Sequence, residues 1–137
     1  MTIPVLTIAS GNPRKVSEIS EMLDVLSLRV EKQPEYLNVE ETGSNYFENA
    51  LLKAKAASLE TKTWALADDS GLEVDYLDGR PGIYSARYAK TNDEKVKKLI
   101  NELSDSPYRS ARFISCMVLC DPLGNLVKET TGICWGE

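Results

Sequence analysis

The change from a strand pattern to a helix pattern near the amino terminus constrains the fold most. Residues 4–9 (PVLTIA) are apolar and rich in β-branched side chains, which is typical of a short buried strand. Asn12 and Pro13 follow at once, and they suit the N-cap and the first position of a helix. The apolar residues beyond them recur at helical spacing, at Val16, Ile19, Leu23 and Leu26. The opening therefore predicts a strand that passes through a tight turn into an amphipathic helix.

The same alternation continues along the chain. A second strand is expected near Leu28–Lys32, and a second helix from Asn45, with Glu48 as its capping-box partner. The buried face of that helix is predicted to hold Phe47, Leu51, Ala54 and Ala57 or Ser58. Trp64–Ala67 then predicts a strand that runs into two aspartates, and Leu72–Tyr76 predicts a half-exposed strand.

The last part of the chain predicts a loop, a helix and a hairpin. Residues 78–89 hold two glycines and a proline and are expected to form a loop that ends in a short helical turn. Residues 91–103 follow with a capping box and a helical pattern, and ARFISCMVLC and NLVKETTGI predict two strands joined by a turn. This order of elements predicts the α/β class, as one three-layer domain over residues 1–137 with a mixed sheet.

Charge and hydropathy exclude two classes of function. The net charge is −5 and both signs are mixed along the chain, which argues against broad nucleic-acid binding. No stretch approaches the roughly 18 apolar residues that a membrane span needs. The short apolar run at the amino terminus has no basic region before it, so it does not predict a secretory signal. We therefore expect a cytoplasmic protein without a membrane or nucleic-acid partner.

The residue inventory limits the chemistry further. The chain contains no histidine, which removes histidine-based nucleophilic catalysis and most zinc sites. Its three cysteines, Cys116, Cys120 and Cys134, lack metal-type spacing and are expected to be buried thiols. Any catalysis must therefore use carboxylates, lysines, arginines, hydroxyls or a hard metal ion.

Three polar segments could bring such groups together. The turn before the first helix, residues 10–15 (SGNPRK), suits a phosphate group because helix N-termini present unpaired N–H groups. Residues 40–43 (EETG) lead to a helix that carries Lys53 and Lys55. Residues 68–71 (DDSG) place two carboxylates at the end of a strand, where Mg²⁺ and phosphates can bind and an aspartate can activate water.

Each of these segments also has a simpler interpretation when it is taken alone. They are a capped helix with solvated basic residues, a solvated acidic connection and an Asx-type turn, respectively. Taken together, they indicate phosphate groups, a divalent cation and a carboxylate-activated water.

Three longer stretches carry a family resemblance: IASGNPRKVSEISEML, EETGSNYFENALLKAKAAS and ALADDSGLEVDYLDGRPGIYSARYA. In order and spacing they resemble the inosine/xanthosine triphosphate pyrophosphatases, and the resemblance extends over essentially the whole chain. It implies Mg²⁺-dependent cleavage of non-standard purine nucleoside triphosphates (ITP, dITP and XTP) to the monophosphate and pyrophosphate. It also implies a homodimer and an elongated mixed sheet with a central cleft, the fold of the Maf/ITPase superfamily.

The resemblance assigns roles to individual residues. Substrate binding is assigned to Ser10, Gly11, Asn12, Pro13, Arg14, Lys15 and Ser70. Asp69 is predicted to be the catalytic and metal-binding residue, and Asp68 is predicted to support it. Lys53 is predicted to contact phosphate and to assist catalysis. Glu40 is predicted to be the second metal-associated residue, with its neighbour Glu41 as the alternative.

The sequence departs from the family at its end, TTGICWGE. The family continues with an aromatic Phe-Gly-Tyr-Asp loop that stacks on the base and a Ser-His-Arg motif that reads its purine edge. Without them, we expect weak or no activity and poor discrimination between bases. Two alternatives stay open: a non-catalytic module that binds Mg²⁺–nucleotide or dimerises, and a Maf-type pyrophosphatase that acts on pyrimidine nucleotides.

Overall fold

The computed structural model describes residues 3–137, which form three α-helices and a five-stranded β-sheet. The elements are β1 (Val5–Ile8), α1 (Pro13–Met22), β2 (Arg29–Lys32), α2 (Tyr46–Thr61), β3 (Trp64–Val74), α3 (Asn92–Leu103), β4 (Ala111–Cys120) and β5 (Leu126–Gly136). Two 3₁₀ helices, Asp75–Leu77 and Gly82–Arg87, lie between β3 and α3. The strand order is β2-β1-β3-β4-β5, with β1 parallel to β2 and to β3. The tight turn after β4 reverses the chain into β5, so the sheet is mixed and the predicted α/β class is confirmed.

β1 lies between β2 and β3 and carries the chain into the first turn. Its Leu6 and Ile8 side chains are buried. The last parallel pair with β3 joins Ile8 to Leu66, and the backbone N–H of Ala9 then donates to the Leu66 carbonyl at 2.8 Å. Beyond this point the chain turns away into α1. The two aspartates of β3 therefore follow just after its ladder with β1 has ended.

The chain divides into two compact units, and the boundary within β3 falls between Asp68 and Asp69. The first unit comprises the chain up to Asp68 together with Cys116–Thr130, and the second comprises Asp69–Ser115 and Thr131–Glu137. Apolar side chains form the core of the first unit: Leu6, Ile8, Ile19, Val16, Leu23, Leu28, Val30, Leu66, Met117 and Leu119. The core of the second unit is formed by Val74, Leu77, Leu103, Leu72, Leu99 and Ala111.

The strand that carries the aspartates is longer than predicted. A single strand runs from Trp64 to Val74, instead of one that stops before Asp68 and a second at Leu72–Tyr76. The Ser-Gly pair is typical of turns, but here it lies inside the strand, which rules out the Asx-type turn. The second predicted strand was also too long, because the 3₁₀ helix Asp75–Leu77 begins directly after Val74.

Both predicted N-caps of the first two helices are confirmed. The Asn12 side chain accepts a hydrogen bond from the Arg14 backbone N–H at 3.0 Å, and Asn45 accepts one from that of Glu48 at 2.8 Å. α1 ends earlier than its apolar pattern predicts, so Leu26 lies beyond the helix and is exposed.

The buried face of α2 is rotated from the predicted one. The buried residues are Tyr46, Asn49, Ala50, Ala54, Ala57 and Ser58. Phe47 and Leu51, which were predicted to be buried, are only half-buried. Most of the buried positions are small, which lets the helix backbone approach β1 closely.

The third helix and the hairpin agree with the sequence, whereas residues 82–87 of the predicted loop form a 3₁₀ helix. The hydroxyl of Thr91 caps α3 by accepting from the Glu94 backbone N–H at 3.1 Å. A backbone hydrogen bond of 2.9 Å from Gly124 to Asp121 closes the turn between β4 and β5. Cys116 and Cys120 are buried as predicted, whereas Cys134 is exposed. Of the helices within residues 3–137, none combines the length and the hydrophobicity needed to cross a membrane.

Candidate active site

The loop between β1 and α1 is ordered by its own side chains. The Ser10 hydroxyl oxygen accepts a hydrogen bond from the Asn12 backbone N–H at 3.1 Å, and Asn12 Oδ1 caps the helix at Arg14. Both contacts use oxygen atoms as acceptors, so they leave the Ser10 hydroxyl and the Asn12 amide with hydrogens to donate. The helix is capped as the simpler interpretation states, but Lys15 is paired with Asp68 and is not a solvated basic residue. The cap also preserves the donors that a phosphate group needs.

Two lysines from different elements converge on Asp68. The ammonium group of Lys15 lies 3.0 Å from Asp68 Oδ1, and that of Lys53 donates to the Asp68 backbone carbonyl at 2.6 Å. The side chains of Asp68 and Lys53 are 11% and 15% exposed, so solvent screens their charges only in part. The structure thus brings together three of the predicted site residues.

Glu41, rather than Glu40, joins this cluster. Its carboxylate lies 3.2 Å from the ammonium group of Lys53, whereas Glu40 is exposed. The segment is attached to α2 by the buried Asn49, whose Oδ1 accepts a hydrogen bond from the Gly43 backbone N–H at 2.7 Å. This contact holds Glu41 close to the helix that carries Lys53.

Glu48 strengthens the same attachment in a way that differs from the predicted capping box. Its carboxylate accepts from the backbone N–H of Ser44 at 2.6 Å and from the Ser44 hydroxyl at 2.9 Å, not from the backbone of Asn45. The backbone hydrogen bond, followed by the hydroxyl hydrogen bond, lowers the pKa of Glu48. The carboxylate therefore stays ionised and holds the end of the acidic segment on α2.

Sequence reasoning missed Asn49 and the orientation of Lys53. Tyr46, Asn49, Lys53 and Ala57 recur at helical spacing, and this pattern places Lys53 on the inner face of α2. Lys55, by contrast, is exposed. A polar residue and a lysine within an otherwise small, buried helix face were the available signal.

Asp69 and Ser70 begin the second unit. Asp69 is buried, at 6% exposure, while Ser70 is exposed. The exposed Ser70 hydroxyl is thus accessible for the predicted substrate contact. The catalytic and metal-binding roles of Asp69 stay predictions.

A cavity of about 500 Å³ opens beside the loop that follows β1. One wall is formed by the loop and the start of α1, including Ser10, Gly11 and Ser17. The opposite wall is formed by the end of β2 and the residues after it, including Gln33 and Leu37. The cavity gives the predicted phosphate-binding loop an open side within the first unit.

Comparison with known proteins supports the assignment made from the motifs. The profile of the Ham1 family matches residues 6–137. A protein of Synechococcus sp. named dITP/XTP pyrophosphatase is 48% identical over 137 residues, which is 100% of this chain and 66% of that protein. A protein of the same name from Synechocystis sp. is 44% identical over 98% of this chain and 70% of its own length. The chain therefore spans about two thirds of the length of these relatives.

Solved structures show the same relationship. A HAM1 protein from Coxiella burnetii superposes with a TM-score of 0.87 at 35% identity, covering 98% of this chain and 73% of that chain. A nucleoside-triphosphatase/dITP/XTP pyrophosphatase from Mycobacterium abscessus superposes with a TM-score of 0.79 at 36% identity, covering 96% and 73%. From its motifs, its fold and these matches, the chain belongs to the Ham1 family.

Proposed function

We propose that the protein is a nucleoside triphosphate pyrophosphohydrolase that converts non-standard purine nucleotides (ITP, dITP and XTP) to the monophosphate and pyrophosphate. The observation that carries this proposal is the convergence of Lys15 and Lys53 on Asp68, beside a loop built to donate to phosphate. The substrate class comes from the relatives, which are named dITP/XTP pyrophosphatases. Removal of such nucleotides would give the enzyme a house-cleaning role in the nucleotide pool.

The two lysines would bind the triphosphate by charge. A triphosphate carries several negative charges, and hydrolysis at the α–β bond adds charge to the leaving pyrophosphate oxygens. Lys15 and Lys53 already lie within 3.0 Å and 2.6 Å of oxygen atoms of Asp68, so their ammonium groups are ordered before substrate binds. Such ordering reduces the reorganisation that the reaction requires. The loop of residues 10–15 would add neutral donors from Ser10 and Asn12.

The carboxylates fit Mg²⁺ as the cofactor. Within residues 3–137, no three His, Cys, Asp or Glu side chains lie close enough to hold a metal ion by themselves. Mg²⁺ does not need such a cage, because it binds through one or two carboxylates and takes its other ligands from water and substrate phosphates. Asp69 would supply one such carboxylate, and of Glu40 and Glu41 it is Glu41 that lies beside Lys53. When bound, the ion would neutralise charge on the phosphate oxygens.

Asp69 would orient the attacking water and accept its proton. The chain contains no histidine, so a carboxylate is the available general base. Asp68, whose side chain contacts Lys15, would position that lysine rather than act on water. The two adjacent aspartates would thus serve different purposes.

The first test is pyrophosphate release by the purified chain with Mg²⁺, after circular dichroism has confirmed folding. Because the motifs that would read the base are absent from the sequence, we expect slow release from ITP and XTP, with little preference for them over ATP. Asp69→Asn should lower kcat by roughly 10²- to 10⁴-fold, the usual contribution of a general base. Asp105→Asn is the matched control, because Asp105 is exposed and lies in the connection after α3.

The outcomes separate the candidate functions. Near-wild-type turnover by Asp69→Asn would overturn the assignment of the general base. A preference for UTP or dTTP would favour a Maf-type enzyme. Binding of Mg²⁺–ITP without turnover, with Asp69→Asn binding equally well, would favour the non-catalytic module.

Further features of the protein are proposals that the family supports. We propose that residues 1–137 act as a single domain, because β3, β4 and β5 each continue from one unit into the other. We also propose a homodimer that works in the cytoplasm, with a nucleoside triphosphate as its small-molecule partner and with no nucleic-acid partner.

A further inference from the structure

The 3₁₀ helix Gly82–Arg87 makes a side-chain contact with β3 that the proposed chemistry does not yet use. The hydroxyl oxygen of Ser85 accepts a hydrogen bond from the Leu72 backbone N–H at 2.9 Å. The same hydroxyl donates to the Gly82 carbonyl at 2.7 Å, which fixes the direction of its hydrogen. Ser85 therefore joins the 3₁₀ helix to the strand through a main-chain group that a side-chain substitution in the strand would not remove.

The contact lies on the edge of β3 to which Ser70 also belongs. The backbone N–H of Val74 donates to the Arg80 carbonyl at 3.2 Å, so the N–H groups of Leu72 and Val74 both face the segment after the strand. Main-chain groups two residues apart in a strand point to the same side. By this alternation the N–H and C=O of Ser70, two residues before Leu72, point to the same edge, and Asp69 lies three residues before Leu72.

The segment that presents Ser85 is itself anchored to α3. The hydroxyl of Tyr88 donates to the carboxylate of Glu102, and the Arg80 guanidinium donates to the same carboxylate at 3.0 Å. The ammonium group of Lys98 donates to the Tyr88 carbonyl at 3.0 Å. Burial, followed by the bond to Glu102, raises the pKa of Tyr88 to about 12, so the hydroxyl keeps its hydrogen at neutral pH. Arg80 and Tyr88, on the two sides of Ser85, are therefore held by α3. The position of Ser85 is thus fixed by contacts other than its hydrogen bond to β3.

We propose that Ser85 is a positioning residue for the reaction: its hydroxyl holds the main chain of β3 so that Asp69 stays in the productive geometry. This inference rests on the proposed function. Misplacement of a reacting group by about 1 Å can lower a rate about 100-fold. Loss of one main-chain contact three residues from Asp69 is therefore expected to act on turnover more than on substrate binding.

The test compares Ser85→Ala with Ser85→Thr and with Ser106→Ala. Threonine keeps the hydroxyl, whereas alanine removes it. Ser106 is a matched control in the same unit, because its hydroxyl oxygen also accepts a backbone N–H, that of Tyr108 at 3.1 Å, but far along the chain from β3. Initial rates of pyrophosphate release from Mg²⁺–ITP give kcat and KM, and thermal unfolding gives Tm for each variant.

We expect Ser85→Ala to lower kcat by about 10- to 100-fold while KM changes by less than about threefold. Ser85→Thr should restore most of kcat, and Ser106→Ala should lower Tm but leave kcat unchanged. If Ser85→Ala lowers Tm to the same extent as Ser106→Ala and keeps the wild-type kcat, the hydroxyl only stabilises the 3₁₀ helix and the inference is wrong. Failure of Ser85→Thr to restore kcat in a folded protein would also overturn it. A folded wild-type chain that neither cleaves nor binds Mg²⁺–ITP would instead refute the proposed function itself.

Discussion

Replacement of Lys53 by methionine tests whether the charge cluster is as ordered as the structure shows. Methionine keeps an unbranched apolar stem in the half-buried position and removes only the ammonium group. Two contacts are lost: the hydrogen bond to the Asp68 carbonyl at 2.6 Å and the ion pair with Glu41 at 3.2 Å. The Asp68 carbonyl and the Glu41 carboxylate are then left without this partner.

The expected loss of stability follows from these two contacts. A hydrogen bond from a charged donor contributes about 1.5–3 kcal/mol to the free energy of unfolding. The ion pair with Glu41 adds no more than about 1 kcal/mol, because the Glu41 side chain is 28% exposed. We therefore expect Lys53→Met to lower the free energy of unfolding by about 2–3 kcal/mol. For a chain of this length, that corresponds to a decrease in Tm of roughly 6–15 °C.

Urea denaturation followed by circular dichroism measures this loss, and Lys55→Met is the control on the exposed side of the same helix. A double-mutant cycle of Lys53→Met with Glu41→Gln should give a coupling energy of about 0.5–1 kcal/mol. The same cycle with Glu40→Gln should give none, because Glu40 is exposed and makes no contact with Lys53 within the described residues. A Lys53→Met variant as stable as Lys55→Met would refute the reasoning. Equal coupling energies for the two glutamates would refute the assignment of Glu41.

Two further predictions concern the turns and the second unit. Gly124→Ala should lower the free energy of unfolding by about 1 kcal/mol more than Gly79→Ala. Both glycines have a positive φ, but only at Gly124 would a Cβ meet a side chain, that of Leu59 at 3.0 Å; equal losses in urea denaturation would contradict this. The pKa of Tyr88 is raised from 10.0 to about 12 by burial and by the bond to Glu102, so its neutral form is favoured in the folded state. The resulting stability is fully present below pH 10 and is lost as pH rises to about 12. Between these pH values the free energy of unfolding of the wild type should therefore fall relative to that of Tyr88→Phe. Parallel pH profiles of the two proteins would show that the hydroxyl contributes nothing.

Local patterns predicted most of the fold because capping residues in the sequence mark where each helix begins. Asn12, Asn45 and Thr91 each accept the backbone hydrogen bond that a helix start requires, and their helices begin at the next residue. The sequence also predicted that two separate segments, one bearing Lys15 and the other Lys53, would serve one site, and both lysines contact Asp68. The capping hydrogen bonds join residues within four positions of each other in the chain. The meeting of the two lysines follows from the order of strands and helices.

The extent of β3 could not be predicted in the same way. Ser70 and Gly71 favour turns in isolation, but β3 is hydrogen-bonded to β4 in the sheet, and residues far away in the chain also hold the strand on both sides of this pair. Lys53 holds the Asp68 carbonyl before them, and Ser85 holds the Leu72 N–H after them. Neither contact leaves a pattern in the local sequence, so tertiary structure overrides the turn propensity.

Which of Glu40 and Glu41 contacts Lys53 shows a different kind of limit, because here the sequence contained the signal. Exposure alternates along the extended segment 37–43, with Leu37, Val39 and Glu41 half-buried and the residues between them exposed. The apolar residues two and four positions earlier therefore place Glu41 on the inner side by the period of two that governs extended chain. At Gly43 a Cβ would lie 2.6 Å from the Cβ of Glu48, so only glycine allows the extended segment to approach α2 this closely. Two apolar residues alone are a weak signal for a period of two. In the structure, the buried Asn49 of α2 accepts a hydrogen bond from the Gly43 N–H and so holds this segment beside the helix that carries Lys53.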